Sequence, residues 1–226
     1  MMGAFNPFEA IIHVVQFILL LTFHEWAHAK SANMLGDPTA RNLGRMSLNP
    51  AVHIDILGTI ILPLIGSLGG IFFGWAKPVP VDPRNLRQPK RDMMLIAGAG
   101  PAINIFCAFL IFALARVLQE TGLLSSASIS RLIKVMLLQT AFFSVILAVF
   151  NMLPLYPLDG YSVVYGLLPP RAARKFASYQ QYGMPILMML IFVPHLFHLP
   201  SPLRLVASAA QVIWSFLGML VGYSWT

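Results

Sequence analysis

The feature that most constrains this chain is the sequence His-Glu-Trp-Ala-His at positions 24–28, inside an apolar stretch long enough to cross a membrane. His24 and His28 are four residues apart. On a helix both imidazoles therefore lie on one face, where they can share a metal ion. Glu25 lies beside them, where it can accept a proton from water at that metal. A carboxylate at membrane depth costs about 2.5–3.5 kcal/mol, which favours a functional role over a merely hydrogen-bonded polar patch.

The composition places this chain in a membrane. Hydrophobic residues make up 58% of the 226 residues and charged residues only 10%, whereas a soluble domain carries about 25% charged residues. The one cysteine, Cys107, excludes an intrachain disulfide and a cysteine-rich zinc site. The net charge of +7 is better explained by basic loops that flank membrane helices than by nucleic-acid binding. We therefore expect a single membrane-embedded domain over residues 1–226.

Apolar runs with the length of a membrane span occur five times along the chain. They cover Phe8 to about Met34, Met93–Leu118, Leu132–Leu155, Tyr182–Leu199 and Leu203–Tyr223. A sixth apolar stretch, Ile54–Trp75, is so rich in glycine and proline that it indicates a broken, re-entrant element. The predicted fold is an all-α polytopic membrane protein with about five to six transmembrane helices, this Gly/Pro-rich re-entrant element and a short β-like edge segment after it.

The distribution of Lys and Arg favours the re-entrant interpretation. If Ile54–Trp75 enters and leaves on the same side, the 15 basic residues divide 11 to 4 between the two faces of the membrane. If the stretch crosses, they divide 8 to 7 and show no bias. Cytoplasmic loops carry an excess of Lys and Arg, so the first topology is favoured. It places the N-terminus outside and the C-terminus in the cytosol.

The motif on the first span lacks a third metal ligand, and Asp159 is the candidate. It follows the third predicted span, between Asn151 and Gly160. Two prolines unwind the end of that span and Gly160 permits a tight turn, so the carboxylate could face a neighbouring helix. An ordinary turn capped by Asp-Gly is the alternative. Asp159 can meet the first span only if the two spans run in the same direction, which again requires that Ile54–Trp75 does not cross.

Together these motifs resemble those of the site-2 protease family of intramembrane zinc metalloproteases. The sequence Gly-Pro-Ala-Ile-Asn at positions 100–104 is similar to the Gly-Pro-x-x-Asn element of that family. The resemblance covers residues 8–175, approximately, as a catalytic core and leaves 182–223 as accessory helices. It implies cleavage of transmembrane substrates by one zinc ion per chain, held by His24, His28 and Asp159. The chain resembles a compact member without PDZ or CBS modules.

The predicted reaction is peptide-bond hydrolysis with Glu25 as the general base. Asn104 or Asn151 could hydrogen-bond the oxyanion or the substrate backbone, although contacts between helices explain either one as well. A transmembrane substrate must be held extended, and the segment 74–81 contains prolines that suit an edge strand to which a substrate could add. A plain linker is the alternative. The candidate substrate contacts in this segment are Trp75, Ala76, Lys77 and Val79.

The predicted function is that of a zinc-dependent intramembrane endopeptidase in regulated intramembrane proteolysis, with a substrate that another protease could have cleaved first. A membrane metal transporter or metal-binding protein that uses the same His/Glu/Asp cluster is the alternative, and an inactive helix-binding protein is a third. Glu25 favours the enzyme, because hydrolysis needs a base and a pure metal site does not. We expect a multi-pass protein of the prokaryotic plasma membrane, in contact with the lipid bilayer and a transmembrane substrate but not with nucleic acid. Its active site is expected toward the cytosolic face.

Overall fold

The computed structural model describes residues 7–68, 72–121 and 128–223, with only the backbone given for 128–131. Within these ranges all regular secondary structure is helical and no strand is formed. The α-helices are α1 (Pro7–Leu35), α2 (Thr39–Asn42), α3 (Leu62–Leu68), α4 (Pro89–Glu120), α5 (Ser128–Asn151), α6 (Asp159–Leu167), α7 (Pro170–Ala177), α8 (Gln180–Leu196) and α9 (Arg204–Leu220). Short 3₁₀ turns lie at Pro50–Val52 and Pro83–Asn85, and a π-helical stretch covers Ile56–Ile61.

Three of the described helices are long and apolar enough to cross a membrane. They are α1 with 29 residues, α4 with 32 residues and the 20 residues Leu132–Asn151 of α5. At about 1.5 Å per residue, 20 residues cover a hydrocarbon layer of about 30 Å. α8 and α9 contain 17 residues each, which is at the short end of the range for a span. The all-helical architecture is confirmed for the described residues, and the total of five to six spans stays a prediction.

The chain divides into two compact units, residues 1–100 with 162–174 and residues 101–161 with 175–226. In the first unit α1 packs against α2, α3 and the π-helical stretch. A small buried core is formed by Ala32 of α1, Leu86 just before α4 and Ile96 of α4, with Val81 packed against it. This core holds the segment that leads into α4 against the C-terminal part of α1.

The second unit is built from helices that approach closely at small residues. Its buried core comes from α4, α5 and α9 and consists of Ala108, Phe112, Ala115, Ala141, Val145, Ala210, Leu217 and the residue Tyr223. The Trp214 indole donates a hydrogen bond to the Leu138 carbonyl at 3.3 Å. The Ser144 hydroxyl donates to the Asn104 carbonyl at 2.7 Å. Close packing at small side chains and hydrogen bonds between helices are the contacts that hold helices together in a lipid surrounding.

In the stretch predicted to be re-entrant, residues 56–68 fold as two short helices, and residues 72–75 form no regular secondary structure. The Asp55 carboxylate caps the π-helical stretch by accepting from the Gly58 amide at 2.8 Å, and α3 continues the helix to Leu68. Gly69 and Gly70, on which part of that prediction rests, lie outside the described residues. The chain then comes back to its starting point, since the Lys77 amide donates to the His53 carbonyl at 2.9 Å. At about 1.5 Å per residue the two short helices reach only about 20 Å, less than a membrane span.

Candidate metal centre

The C-terminal half of α1 carries three polar side chains that the fold removes from solvent. His24 is 3% exposed, and Glu25 and His28 are each 9% exposed. The helical spacing places the two imidazole rings edge to face, with centroids 4.7 Å apart. One potential ligand atom from each of the three residues lies within 4.8 Å of the others. Two imidazole nitrogens and a carboxylate oxygen this close together form a donor set that suits a zinc ion.

A hydrogen bond orients the ring of His28. Its Nδ1 lies 2.7 Å from the main-chain carbonyl oxygen of Ile96, on α4. A carbonyl oxygen can only accept, so Nδ1 carries the proton and donates. The lone pair of the neutral ring is then on Nε2, which becomes the nitrogen available to a cation. The Ile96 carbonyl therefore sets both the tautomer and the direction of this imidazole.

Gly100 of α4 lies against the same two histidines. A Cβ atom at this position would stand 2.5 Å from His28 Nε2 and 2.6 Å from His24 Nε2. The α4 backbone can approach the imidazole nitrogens only because this residue has no side chain. A glycine inside a helix costs about 1 kcal/mol relative to alanine, so its presence needs a packing or functional reason. A glycine inside a predicted helix is visible in the sequence, but the sequence does not show which residues that glycine packs against.

Glu25 receives a hydrogen bond from the edge segment, which we define as residues 74–81. The Val79 amide donates to Glu25 Oε2 at 2.9 Å, across 54 residues of sequence. This contact could not be inferred from the residue type, because any residue except proline offers the same main-chain donor. It brings the predicted general base and the predicted substrate-binding segment together in the first unit.

The edge segment is held along one side by hydrogen bonds from alternate residues. The Trp75 and Lys77 amides donate to the carbonyls of Gly58 and His53, at 3.0 Å and 2.9 Å. The Val79 amide continues this alternation to Glu25. Amides that point the same way at every second residue are typical of extended backbone. The segment forms no strand, so its role as a β-like edge stays a prediction.

Two further side chains fix this segment from the other parts of the first unit. The Arg45 guanidinium donates to the carbonyls of Lys77 and Pro78, at 2.7 Å and 3.3 Å. The fully buried Asp37 carboxylate accepts from the Asp82 amide and the Asn85 side-chain amide, both at 2.8 Å. It therefore ties the loop after α1 to the end of the edge segment.

Asp37 also accepts two hydrogen bonds from Thr39, one from its amide and one from its hydroxyl. Burial by itself raises the pKa of this carboxyl group. The hydrogen bonds from Thr39, Asn85 and Asp82 together outweigh burial and hold the pKa below the ordinary carboxyl value. The donors that point at this carboxylate thus keep it ionised, which is typical of a structural hydrogen-bond acceptor and not of a group that transfers protons. Sequence analysis missed Asp37, which belongs to no catalytic motif.

Asp159 is the first residue of α6 and belongs to the second unit. The glycine after it serves a purpose different from the predicted tight turn. A Cβ on Gly160 would collide with the carbonyl oxygens of Met152 and Leu153, so this position packs directly against the end of the preceding helix. The assignment of Asp159 as a metal ligand stays a prediction.

The two candidate asparagines make contacts within the second unit. Asn104 is fully buried, and its main-chain carbonyl accepts from the Ser144 hydroxyl. The Asn151 side-chain amide donates to the Leu147 carbonyl at 2.9 Å, one turn earlier in α5. The Asn151 bond agrees with the alternative of a contact within a helix, whereas the Asn104 bond involves the main chain and does not test its side chain. An oxyanion or substrate role stays a prediction for both. In the edge segment Ala76 is buried and Lys77 is exposed.

Comparison with known proteins gives one family and several bacterial relatives. The family model of peptidase family M50 matches residues 12–194. The Bacillus subtilis protein YwhC, named as a candidate zinc metalloprotease, is 35% identical over 181 residues, 80% of each chain. Two proteins named Rip2 in the same way, from Mycolicibacterium smegmatis and Mycobacterium tuberculosis, are 30% and 27% identical, over 82% of this chain and 68% of theirs. No solved structure matches.

Proposed function

We propose, on the premise that this chain belongs to peptidase family M50 and is an intramembrane zinc metalloprotease, that it hydrolyses peptide bonds in or near transmembrane segments of other membrane proteins. The observation that carries the proposal is the buried group His24, Glu25 and His28 on an apolar helix of membrane-spanning length. The alternative of a metal transporter is not favoured, because the relatives are named as metalloproteases. We further propose that the reaction serves regulated intramembrane proteolysis, on a substrate that another protease has already shortened.

The proposed cofactor is one zinc ion per chain, held by His24, His28 and Asp159. The two histidines fit it because their ring nitrogens are close together and because the Ile96 carbonyl, by binding Nδ1, directs the lone pair of the His28 ring to Nε2. Asp159 would complete three protein ligands, which is the usual number in a catalytic zinc site. Glu25 is then left as a base, since a third ligand from elsewhere relieves it of coordination.

In the proposed mechanism, zinc when bound supplies a Lewis acid that polarises the scissile carbonyl and makes water more acidic. Glu25 accepts the proton of the attacking water and passes it to the leaving amine. The Val79 amide holds the Glu25 carboxylate, and the Ile96 carbonyl holds the His28 ring, so neither group has to reorganise. The low exposure of all three side chains limits competing water.

The edge segment is the proposed site for the substrate backbone. Its amides at Trp75, Lys77 and Val79 are already bonded within the first unit. On the opposite edge Pro78 and Pro80 have no N–H, which leaves Gly74 and Ala76 as the donors for an incoming extended chain. A substrate that adds there would be held in one register. Asn104 and Asn151 are proposed as secondary contacts to the oxyanion or the substrate backbone.

The proposed location is the plasma membrane of a prokaryote, with the active site toward the cytosol. Ile54–Trp75 is proposed to enter and leave on that side. Support comes from the bias in basic residues and from the hydrogen bond between Lys77 and His53, which brings the two ends of the stretch together.

The decisive experiment co-expresses the protein with candidate single-pass membrane proteins and compares wild type with Glu25→Gln. We expect the variant to keep about one zinc per chain and to lose cleavage by at least about 10²-fold, because it lacks the base and keeps the ligands. Asp159→Ala is the matched ligand variant and is expected to lose zinc as well as activity. Proteolysis by Glu25→Gln near the wild-type rate would overturn the mechanism, and full zinc retention by Asp159→Ala would remove that residue from the ligand set.

A further inference from the structure

The hydrogen bond between Val79 and Glu25 joins two parts of the proposed machinery. Val79 lies between Pro78 and Pro80, so its amide is the only N–H group in this stretch of three residues. That amide points at the Glu25 carboxylate, which is 9% exposed. A hydrogen bond to a charged acceptor that is shielded from water is strong and directional.

The position of this amide is fixed from both sides. On the N-terminal side Arg45 binds the carbonyls of Lys77 and Pro78. On the C-terminal side the Asp37 carboxylate binds the Asp82 amide. The two prolines restrict the backbone further, since each fixes its own φ angle and limits the residue before it. The Val79 amide is therefore a rigid donor. The Glu25 side chain has several rotatable bonds, and the hydrogen bond from this amide restrains them.

We propose that the Val79 main-chain amide is a positioning group for Glu25, so that the edge segment aligns the general base with one edge and receives substrate on the other. This inference rests on the proposed function and adds a second task to the segment. Substrate that pairs at Ala76 is then held by the same backbone that holds the base. The substrate and the general base thus keep a fixed position relative to each other, and a displacement of the edge segment would misplace both.

Substitutions at the two edges of the segment are expected to cause different kinetic defects. Val79→Pro removes the donor to Glu25 in a stretch that already accepts proline on both sides, and is expected to lower kcat by about tenfold to a hundredfold with little change in KM or zinc content. Val79→Ala keeps the N–H and is expected to retain most of the kcat that Val79→Pro loses. Ala76→Pro removes one of the two donors on the substrate edge, leaving that of Gly74, and is expected to act mainly on KM.

These variants are compared in detergent with a purified single-pass substrate. A kcat for Val79→Pro within twofold of that for Val79→Ala would overturn the positioning role. If the wild-type protein does not cleave any substrate, the proposed function fails while the positioning role is still tested by the next measurement.

A measurement without catalysis uses zinc-free protein labelled with ¹⁵N-valine. The exchange rate of the Val79 amide proton with solvent is compared in wild type, Glu25→Gln and Glu25→Ala. We expect Glu25→Ala to speed exchange several-fold, because the acceptor is gone, and Glu25→Gln, which keeps an acceptor oxygen, to have a smaller effect. Equal exchange rates in wild type and Glu25→Ala would overturn the inference even if Val79→Pro fails to fold.

Discussion

At the scale of single residues, the candidate metal centre depends on the missing side chain of a glycine as much as on the side chains of its two histidines. Gly100 lets the backbone of α4 lie against the ring nitrogens of His24 and His28. A Cβ atom there would lie 2.5 Å from His28 Nε2 and 2.6 Å from His24 Nε2, too close for either ring to keep its position. The neighbouring Gly98 has no described atom within 4 Å of such a Cβ, although it lies in the same helix. The two glycines therefore form a matched pair for mutation.

Gly100→Ala is expected to abolish most zinc binding, while Gly98→Ala is expected to leave it intact. Both changes favour the helix by up to about 1 kcal/mol, so a loss of zinc in the first variant alone is a local steric effect. Zinc per chain is measured by atomic absorption, and thermal unfolding serves as a check of the fold. A Gly100→Ala protein with the zinc content of wild type would contradict this account of the site.

At the scale of elements, the fully buried Asp37 joins α1 to the segment that carries Val79. It accepts hydrogen bonds from Thr39 just after α1 and from Asp82 and Asn85 after the edge segment. Replacing one carboxylate oxygen by an amide nitrogen would set a donor against these donors. Asp37→Asn is therefore expected to lower the free energy of unfolding by roughly 2–4 kcal/mol.

The pH dependence of this contribution follows from the lowered pKa of Asp37. A carboxyl whose pKa is lower in the folded state stabilises the fold fully above its unfolded value, ordinarily 3.8. That contribution is lost as the pH falls from there through the lower folded pKa. The difference in thermal stability between wild type and Asp37→Asn should therefore be constant near neutrality and shrink below about pH 4. An undiminished difference under acid conditions would show that the negative charge is not what stabilises this junction.

At the scale of the whole molecule, the topology of the chain decides which loops share a face of the membrane. If Ile54–Trp75 returns to its starting side, Asn42 and Arg87 lie on one side and Thr121 on the other. All three are exposed, and no hydrogen bond of the site uses the side chains of these residues.

Single cysteines are placed at Asn42, Arg87 and Thr121 in a Cys107→Ser background. We expect an impermeant reagent to label the first two from the same side of the membrane and the third from the opposite side. The parent Cys107→Ser protein provides the unlabelled baseline. Labelling of Asn42→Cys and Arg87→Cys from opposite faces would mean that the stretch crosses, and the proposed third ligand would then need another explanation.

Much of the helical and metal-binding character could be predicted because it depends on local geometry. Histidines four residues apart share a helix face in any α-helix, so the pairing of His24 with His28 follows from spacing alone. Long apolar runs become helices in a membrane because each backbone polar group must be satisfied within its own segment. The first three predicted spans, which correspond to α1, α4 and α5, follow from this rule.

Only the tertiary structure decided what surrounds the centre. The Ile96 carbonyl that orients His28 is 68 residues away, and the Val79 amide that binds Glu25 is 54 residues away. Both partners are main-chain groups, which every residue type offers alike, apart from the N–H that proline lacks, so the sequence carries almost no signal for them. The close approach at Gly100 and the donors around Asp37 likewise exist only once distant segments have packed together. Local spacing thus determined which side chains of α1 could share a metal ion, and long-range packing of the backbone decided how they are held.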